Sequence, residues 1–172
     1  NRSQHKLDWL LNYFARKLQM PHLKVKKFLI AFSRLKGSGK SSVRAFLSAV
    51  YGEDKVMFCD TIEDFMSSEN SEQLHKLFVV IDDLERCGRK MSNDLKSKIT
   101  SHTFKWKELY KNKRTMPDFC DLIGTSNSRN CVFVGEDDRR NELVEVNPEM
   151  KPDKAFWTRL YKEFDTPNIV GA

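Results

Sequence analysis

Hydrophobic positions along this chain follow two alternating rhythms. Residues 3–19, SQHKLDWLLNYFARKLQ, set Leu7, Leu10, Leu11, Phe14 and Leu18 at the three- and four-residue steps of one helix face. Ser3 is the expected N-cap, and Pro21 stops the helix. KKFLIAF (26–32) is then a short unbroken apolar run, the pattern of a buried strand. After a glycine-rich turn, helical spacing resumes in KSSVRAFLSAVYG and closes at Gly52. The alternation continues with a strand in KVMFCD (55–60), a short helix in IEDFMS and a strand in KLFVVIDD (76–83). A helix follows in SNDLKSKITS, opened by Ser92 or Asn93. HTFKWKELYKNKRTM alternates around a polar tip and predicts a hairpin. FCDLIGTSN (119–127) and NELVEVN (141–147) read as strands, and DKAFWTRLYKEF as a closing amphipathic helix. Strands alternating with helices predict an α/β sandwich with a mostly parallel central sheet. Pro21 divides the chain into an N-terminal helix, 1–20, and a domain spanning 21–172.

Composition narrows the class. A chain of 172 residues with 40% hydrophobic and 31% charged residues is expected to be soluble and globular. No apolar run reaches the ~18 residues of a membrane span. Its start is polar, unlike a signal peptide, and without Met it is expected to be part of a longer protein. Cys59, Cys87, Cys120 and Cys131 lack C-x-x-C spacing, so free thiols in a reducing compartment are expected rather than a zinc site. The net charge of +6 is concentrated. Residues 86–114 hold ten Lys/Arg against two Asp/Glu, and residues 16–44 hold nine Lys/Arg and no acid. Such polarity suits a protein that meets a polyanion at chosen places, although lysine-rich solvated faces would have the same composition.

The chemistry is concentrated at strand ends. RLKGSGKSS (34–42) joins the first predicted strand to a helix, the setting in which backbone N–H groups and a helix N-terminus cradle phosphate. Gly37, Ser38, Gly39, Lys40, Ser41 and Ser42 form the candidate nucleotide-binding loop. Lys40 would reach the β/γ-phosphates and Ser41 would hold Mg²⁺. Arg34 stands where the full G-x-x-x-x-G-K-[ST] pattern has its first glycine, a position that shapes the loop's entry. FVVIDD ends a buried strand in two carboxylates, of which Asp82 is assigned to the metal and Asp83 to activating water. Glu85 is a weaker candidate for the second role. LIGTSN ends another strand with Asn127, an amide placed near a γ-phosphate. Each string alone also occurs in ordinary turns.

In order, KGSGKSS, FVVIDDLE, a lysine-rich segment, IGTSN and EDDRR resemble the superfamily 3 helicases, AAA+-type motors of small viruses, phages and plasmids. The likeness is greatest to the primase-helicase branch of phages, plasmids and large DNA viruses, and it covers Pro21 to Pro148. It implies an AAA+-like P-loop NTPase, a three-layer sandwich with an inserted β-hairpin and a short N-terminal helical segment. It implies ATP and Mg²⁺ as cofactors, and a hexamer acting on single-stranded DNA in the cytoplasm of a host cell. A primase or polymerase domain in the same full-length chain is also implied. By the resemblance, Asn127 is the sensor and Arg139 or Arg140 the arginine finger serving a neighbouring subunit. Asp83 departs from the glutamate that family members often carry, and its shorter side chain reaches less far toward water.

Within TFKWKELYKNKR, basic residues alternate with aromatics, suiting a single strand's phosphates and bases. Lys105, Lys107, Lys111, Lys113 and Arg114 are the candidate DNA contacts, whereas Phe104 and Trp106 are assigned to packing. A replicative motor that unwinds duplex is the leading expectation. The alternative is an ATP-gated nucleic-acid-binding or assembly module without unwinding. A small-molecule P-loop kinase would need an arginine-rich lid, in place of which the chain has its Thr-Ser-Asn strand.

Overall fold

Each apolar run of the sequence becomes a strand: β1 (Phe28–Phe32), β2 (Val56–Cys59), β3 (Phe78–Ile81), β6 (Asp121–Ser126) and β7 (Asn141–Glu145). In the computed structural model, which describes residues 2–67, 71–85, 87–107, 112–131, 139–147, 149 and 153–166, they form one five-stranded sheet. The order is β2-β3-β6-β1-β7, with every pair parallel. The helices are α1 (Arg2–Gln19), α2 (Ser42–Tyr51), α3 (Ile62–Met66), α4 (Arg89–Thr100) and α5 (Lys154–Phe164).

The period of two along a strand explains the unbroken apolar runs. It sends Phe28, Ile30, Val79, Ile81 and Leu122 to one face, against Ile62 and Phe65 of α3 and Leu95 and Ile99 of α4. It sends Leu29, Phe78, Val80 and Ile123 to the other, against Tyr13 of α1 and Leu47 of α2. A parallel sheet covered on both faces has no polar side to show. Full burial of each of these aliphatic or aromatic side chains is worth about 1.5–3 kcal/mol. The expected α/β sandwich with a parallel central sheet is therefore the fold observed. The expected hairpin is a separate antiparallel pair, β4 (Thr103–Trp106) with β5 (Arg114–Pro117).

Three local expectations are corrected. Helix α1 already includes Ser3, which is therefore not its N-cap. Its buried face is also rotated from the one expected. Tyr13 and Lys17 are buried, with Trp9, Leu10 and Phe14 packed beside them, while Leu7, Leu11 and Leu18 are exposed. The cause is Asp121 at the start of β6, whose carboxylate lies 3.1 Å from the Lys17 ammonium with neither side chain exposed. Lys17 also donates to the Leu23 and Phe119 carbonyls, so the innermost residue of the helix is a lysine. Finally, α4 opens at Arg89 behind a Gly88 cap, and Ser92 is buried in its first turn, with its N–H donating to the Gly88 carbonyl.

Strand order is what assembles a site. The sheet places β3, β6 and β1 side by side in that order, so the C-terminal ends of these three strands are neighbours. Those ends carry the Asp-Asp pair, the Thr-Ser-Asn segment and the glycine-rich loop, respectively.

Candidate active site

Leaving β1, the chain turns through residues 34–41 before α2 begins at Ser42. Gly37 (φ 72°) and Gly39 (φ 87°) take left-handed conformations that L side chains disfavour. The Ser42 N–H and hydroxyl both donate to the Gly39 carbonyl, at 3.1 and 2.7 Å, fixing the loop to the first turn of the helix. Ser38 is buried, and its Oγ has no hydrogen-bond partner among the described residues. A buried hydroxyl without a partner is costly in a finished core, but it suits a loop that closes on an anion. Over residues 37–42 lies a pocket of about 350 Å³, whose other wall is Trp157 and Tyr161 of α5. Arg34 is exposed at the loop's entry and does not line this pocket.

The three strand ends are joined by side chains. Lys40 Nζ donates to Asn127 Oδ1 at 2.9 Å, and Asn127 Nδ2 donates to Asp83 Oδ1 at 2.8 Å. The amide's orientation follows from its partners, since an ammonium can only donate and a carboxylate only accept. Asp83 itself has φ 45°, an uncommon conformation for a residue with a side chain. Its N–H donates to Thr125 Oγ1 at 3.0 Å, and the Thr125 hydroxyl donates to Asp82. The Leu84 N–H reaches the Thr125 carbonyl at 2.7 Å, and Ser126 Oγ donates to the Leu84 carbonyl at 2.7 Å. Thr125 thus positions both aspartates. Spacing along the chain does not assign Thr125 this role, because only β3 beside β6 brings it to them.

A second, smaller pocket of about 40 Å³ is lined by Ser41, Arg44, Asp60, Asp82 and Thr125, among others. Its volume admits a water or small cation. Hydroxyl and carboxylate oxygens are the donors Mg²⁺ takes, and that ion keeps much of its water, so Ser41 and Asp82 fit it. Asp60, just after β2, is a second carboxylate in this pocket, one that sequence reasoning missed. Cys59 also lines the pocket; burial first, then nearby carboxylates, pushes its thiol up to about 11, so it stays neutral. Arg44 is anchored over the Phe58 ring, 4.0 Å from its centroid.

Arg139 and Arg140 do not join these residues. They precede β7 at the opposite end of the sheet, where Arg140 O accepts from the Phe28 N–H and Arg139 O from Lys27 Nζ. The length of β1, roughly 16 Å at 3.3 Å per residue, separates that end from the loop. On the hairpin, Lys105, Lys113 and Arg114 are exposed and Lys107 is half-buried, while Lys111 lies outside the described residues. Phe104 is buried and Trp106 half-buried. Lys105 donates to Thr115 Oγ1 across the strands at 2.7 Å. Under the hairpin, a cavity of about 350 Å³ is lined by Lys98, Lys105, Lys113 and Asp118, among others. Burial lowers the pKa of Lys98, whose ammonium lies over the Phe65 ring.

Residues 32–140 match the model of a family of unknown function, DUF5906. The chain belongs to that family. No curated protein matches it in sequence. Two apo structures of the NrS-1 C-terminal region (305–718) share its fold. One has TM-score 0.77 and 23% identity over 92% of this chain and 37% of its own, and the other 0.79 and 23% over 94% and 39%. The chain thus spans under two fifths of those structures. A JCV helicase bound to a small molecule is more remote, at TM-score 0.49 and 16% identity over 80% of this chain and 42% of its own. The DUF5906 segment runs from the last residue of β1 to Arg140 and includes every candidate residue named from the sequence, but neither α1 nor α5. No helix among the described residues is long and apolar enough to cross a membrane.

Proposed function

We propose that this DUF5906 chain is the Mg-dependent ATPase motor of a viral, phage or plasmid replication helicase, moving on single-stranded DNA and unwinding duplex. The observation that carries the reading is the hydrogen-bonded line Lys40–Asn127–Asp83, which joins three separate motifs at one point. Gly37 to Ser42 receive the phosphates of ATP through the loop backbone and the N-terminus of α2, and Lys40 turns from Asn127 to the β/γ-oxygens. Ser41 and Asp82 would hold Mg²⁺, which would supply neutralisation of charge on the phosphates. When Lys40 leaves, Asn127 Oδ1 becomes free to orient the attacking water beside Asp83, which takes its proton. The amide therefore reports whether phosphate is present.

Arg139 or Arg140 lies at the far end of the sheet from its own loop, and the superfamily resemblance assigns it as a finger to the next subunit of a homo-oligomer. The superfamily resemblance makes that oligomer a hexamer, with a primase or polymerase domain elsewhere in the full-length protein and the host cytoplasm as its place of action. The ATPase unit is 21–172, with the 1–20 segment clamped to it through Lys17 of α1. Lys105, Lys107, Lys111, Lys113 and Arg114 contact the strand. One observation favours a second reading: Asp83, short and already bonded to Asn127, suits an ATP-gated DNA-binding module that does not unwind. ATP hydrolysis with and without single-stranded DNA, compared with Lys40→Ala, separates these outcomes. Stimulated hydrolysis lost in the variant is the result expected of the motor. An oligomer that binds DNA in response to ATP without turnover would replace the motor with the gated module.

A further inference from the structure

The aromatic wall facing the glycine-rich loop has no role in the reading above, and α5 lies outside the DUF5906 segment. Trp157 and Tyr161 are four residues apart, so they sit one turn apart on a single face of α5. Their rings are 6.4 Å apart and tilted by 37°. One end of the helix is fixed to α2, where Phe164 meets Phe46 edge-on at 6.3 Å. At the other end the indole of Trp157 lies directly on the loop. A Cβ added to Gly39 would overlap its Cη2 and stand 2.7 and 2.9 Å from Cζ2 and Cζ3. Yet the aromatic face is not packed away. Trp157 is half-buried, Tyr161 is 43% exposed, and the pocket of about 350 Å³ lies between them and residues 37–42.

The two walls of this pocket have opposite chemistries. The loop wall offers backbone N–H groups, hydroxyls and the Lys40 ammonium, which suit a polyphosphate. The α5 wall offers planar apolar rings, which suit a nucleobase. Building on the nucleotide reading, we infer that Trp157 and Tyr161 form the base-binding wall of the site, holding a nucleoside triphosphate's base by stacking while the loop holds its phosphates. Stacking rewards aromatic area and is tolerant of base identity, because every base has a π-face. The site accordingly takes ATP and GTP about equally and CTP or UTP more weakly, and Trp157 sets affinity for the nucleoside part alone.

The test is calorimetric binding of Mg-ATP, Mg-GTP, Mg-CTP and Mg-tripolyphosphate to the full chain and to Trp157→Ala, Trp157→Phe and Tyr161→Ala, each checked for folding by circular dichroism. Trp157→Ala is expected to weaken ATP and GTP by about tenfold or more and Tyr161→Ala by less. Trp157→Phe retains most of the affinity, and tripolyphosphate binds all four proteins alike. Should Trp157→Ala unfold, Tyr161→Ala and the ranking of ATP, GTP and CTP on the unaltered chain still decide. Unchanged ATP affinity in both alanine variants, with tripolyphosphate still bound, overturns the base wall and leaves the phosphate cradle standing. Tighter ATP and tripolyphosphate binding by Trp157→Ala also overturns it, making α5 a plug. Failure of the unaltered chain to bind ATP or tripolyphosphate overturns the nucleotide reading and this inference with it.

Discussion

Replacing Lys17 by Met keeps an unbranched, nearly as long side chain but leaves Asp121 buried without its counter-ion. Burial raises the Asp121 pKa even with Lys17 opposite; the lysine's charge and hydrogen bond, and the Val25 N–H at 2.8 Å, offset only part of that. Without the lysine, the carboxyl is expected to protonate in the folded state. Holding an aspartate neutral at pH 7, about three units above its ordinary value of about 3.9, costs about 4 kcal/mol. The Leu23 and Phe119 carbonyls also lose a donor, at about 1–3 kcal/mol if they stay buried. The first figure lies within the ~3–5 kcal/mol usual for breaking a buried pair, and a loss of at least that size is expected at pH 7. The sign with pH follows from the raised value. A carboxyl whose folded pKa lies above its unfolded one favours the fold at low pH, and that contribution is lost as pH rises through the folded value. The penalty of Lys17→Met should therefore be smaller at pH 5 than at pH 7, by up to about 3 kcal/mol. Urea unfolding followed by circular dichroism at both pH values measures it. A loss below about 1 kcal/mol at pH 7, or an equal loss at both, would refute the reasoning. Adding Asp121→Asn should abolish the pH dependence.

Other parts of the site give sharp expectations. Gly39→Ala forces a Cβ into the Trp157 ring at a left-handed φ, and ATP affinity should fall at least about tenfold by calorimetry, given about 1–2 kcal/mol of backbone strain alone. Gly88→Ala, whose Cβ meets nothing within 4 Å, should bind normally. If the finger acts in trans, changing Arg139 and Arg140 to Ala should lower turnover by about 10³-fold or more. Mixing that variant with Lys40→Ala should then restore part of the activity, and no recovery in an intact oligomer would argue against a trans finger. Neutralising Lys105, Lys113 and Arg114 together should reduce the slope of log affinity for single-stranded DNA against log salt by about 2, near 0.7 per phosphate contact. An unchanged slope would remove the hairpin from the DNA interface.

Much of the fold was legible because its causes are local. Short apolar runs and glycine-rich turns fix strand, turn and helix through backbone sterics and the burial of side chains, and these depend on neighbours in sequence. The glycines of the loop, the carboxylates after β3 and Asn127 after β6 could be named for the same reason: each sits where a strand ends. The rotated face of α1 was not legible, since hydrophobic periodicity assigns Lys17 to water and cannot anticipate Asp121, more than a hundred residues away, as its partner. Nor could spacing show that Thr125 ties down both aspartates or that Trp157 rests on Gly39. Those contacts depend on strand order and on where α5 packs. Long-range pairing decides both, and the sequence of each segment does not contain it. The chain by itself thus determined which residues could do chemistry. The tertiary structure decided which of them meet, because a sheet that inserts β6 between β3 and β1 brings distant strand ends within hydrogen-bonding distance and leaves Arg139 and Arg140 at the other end.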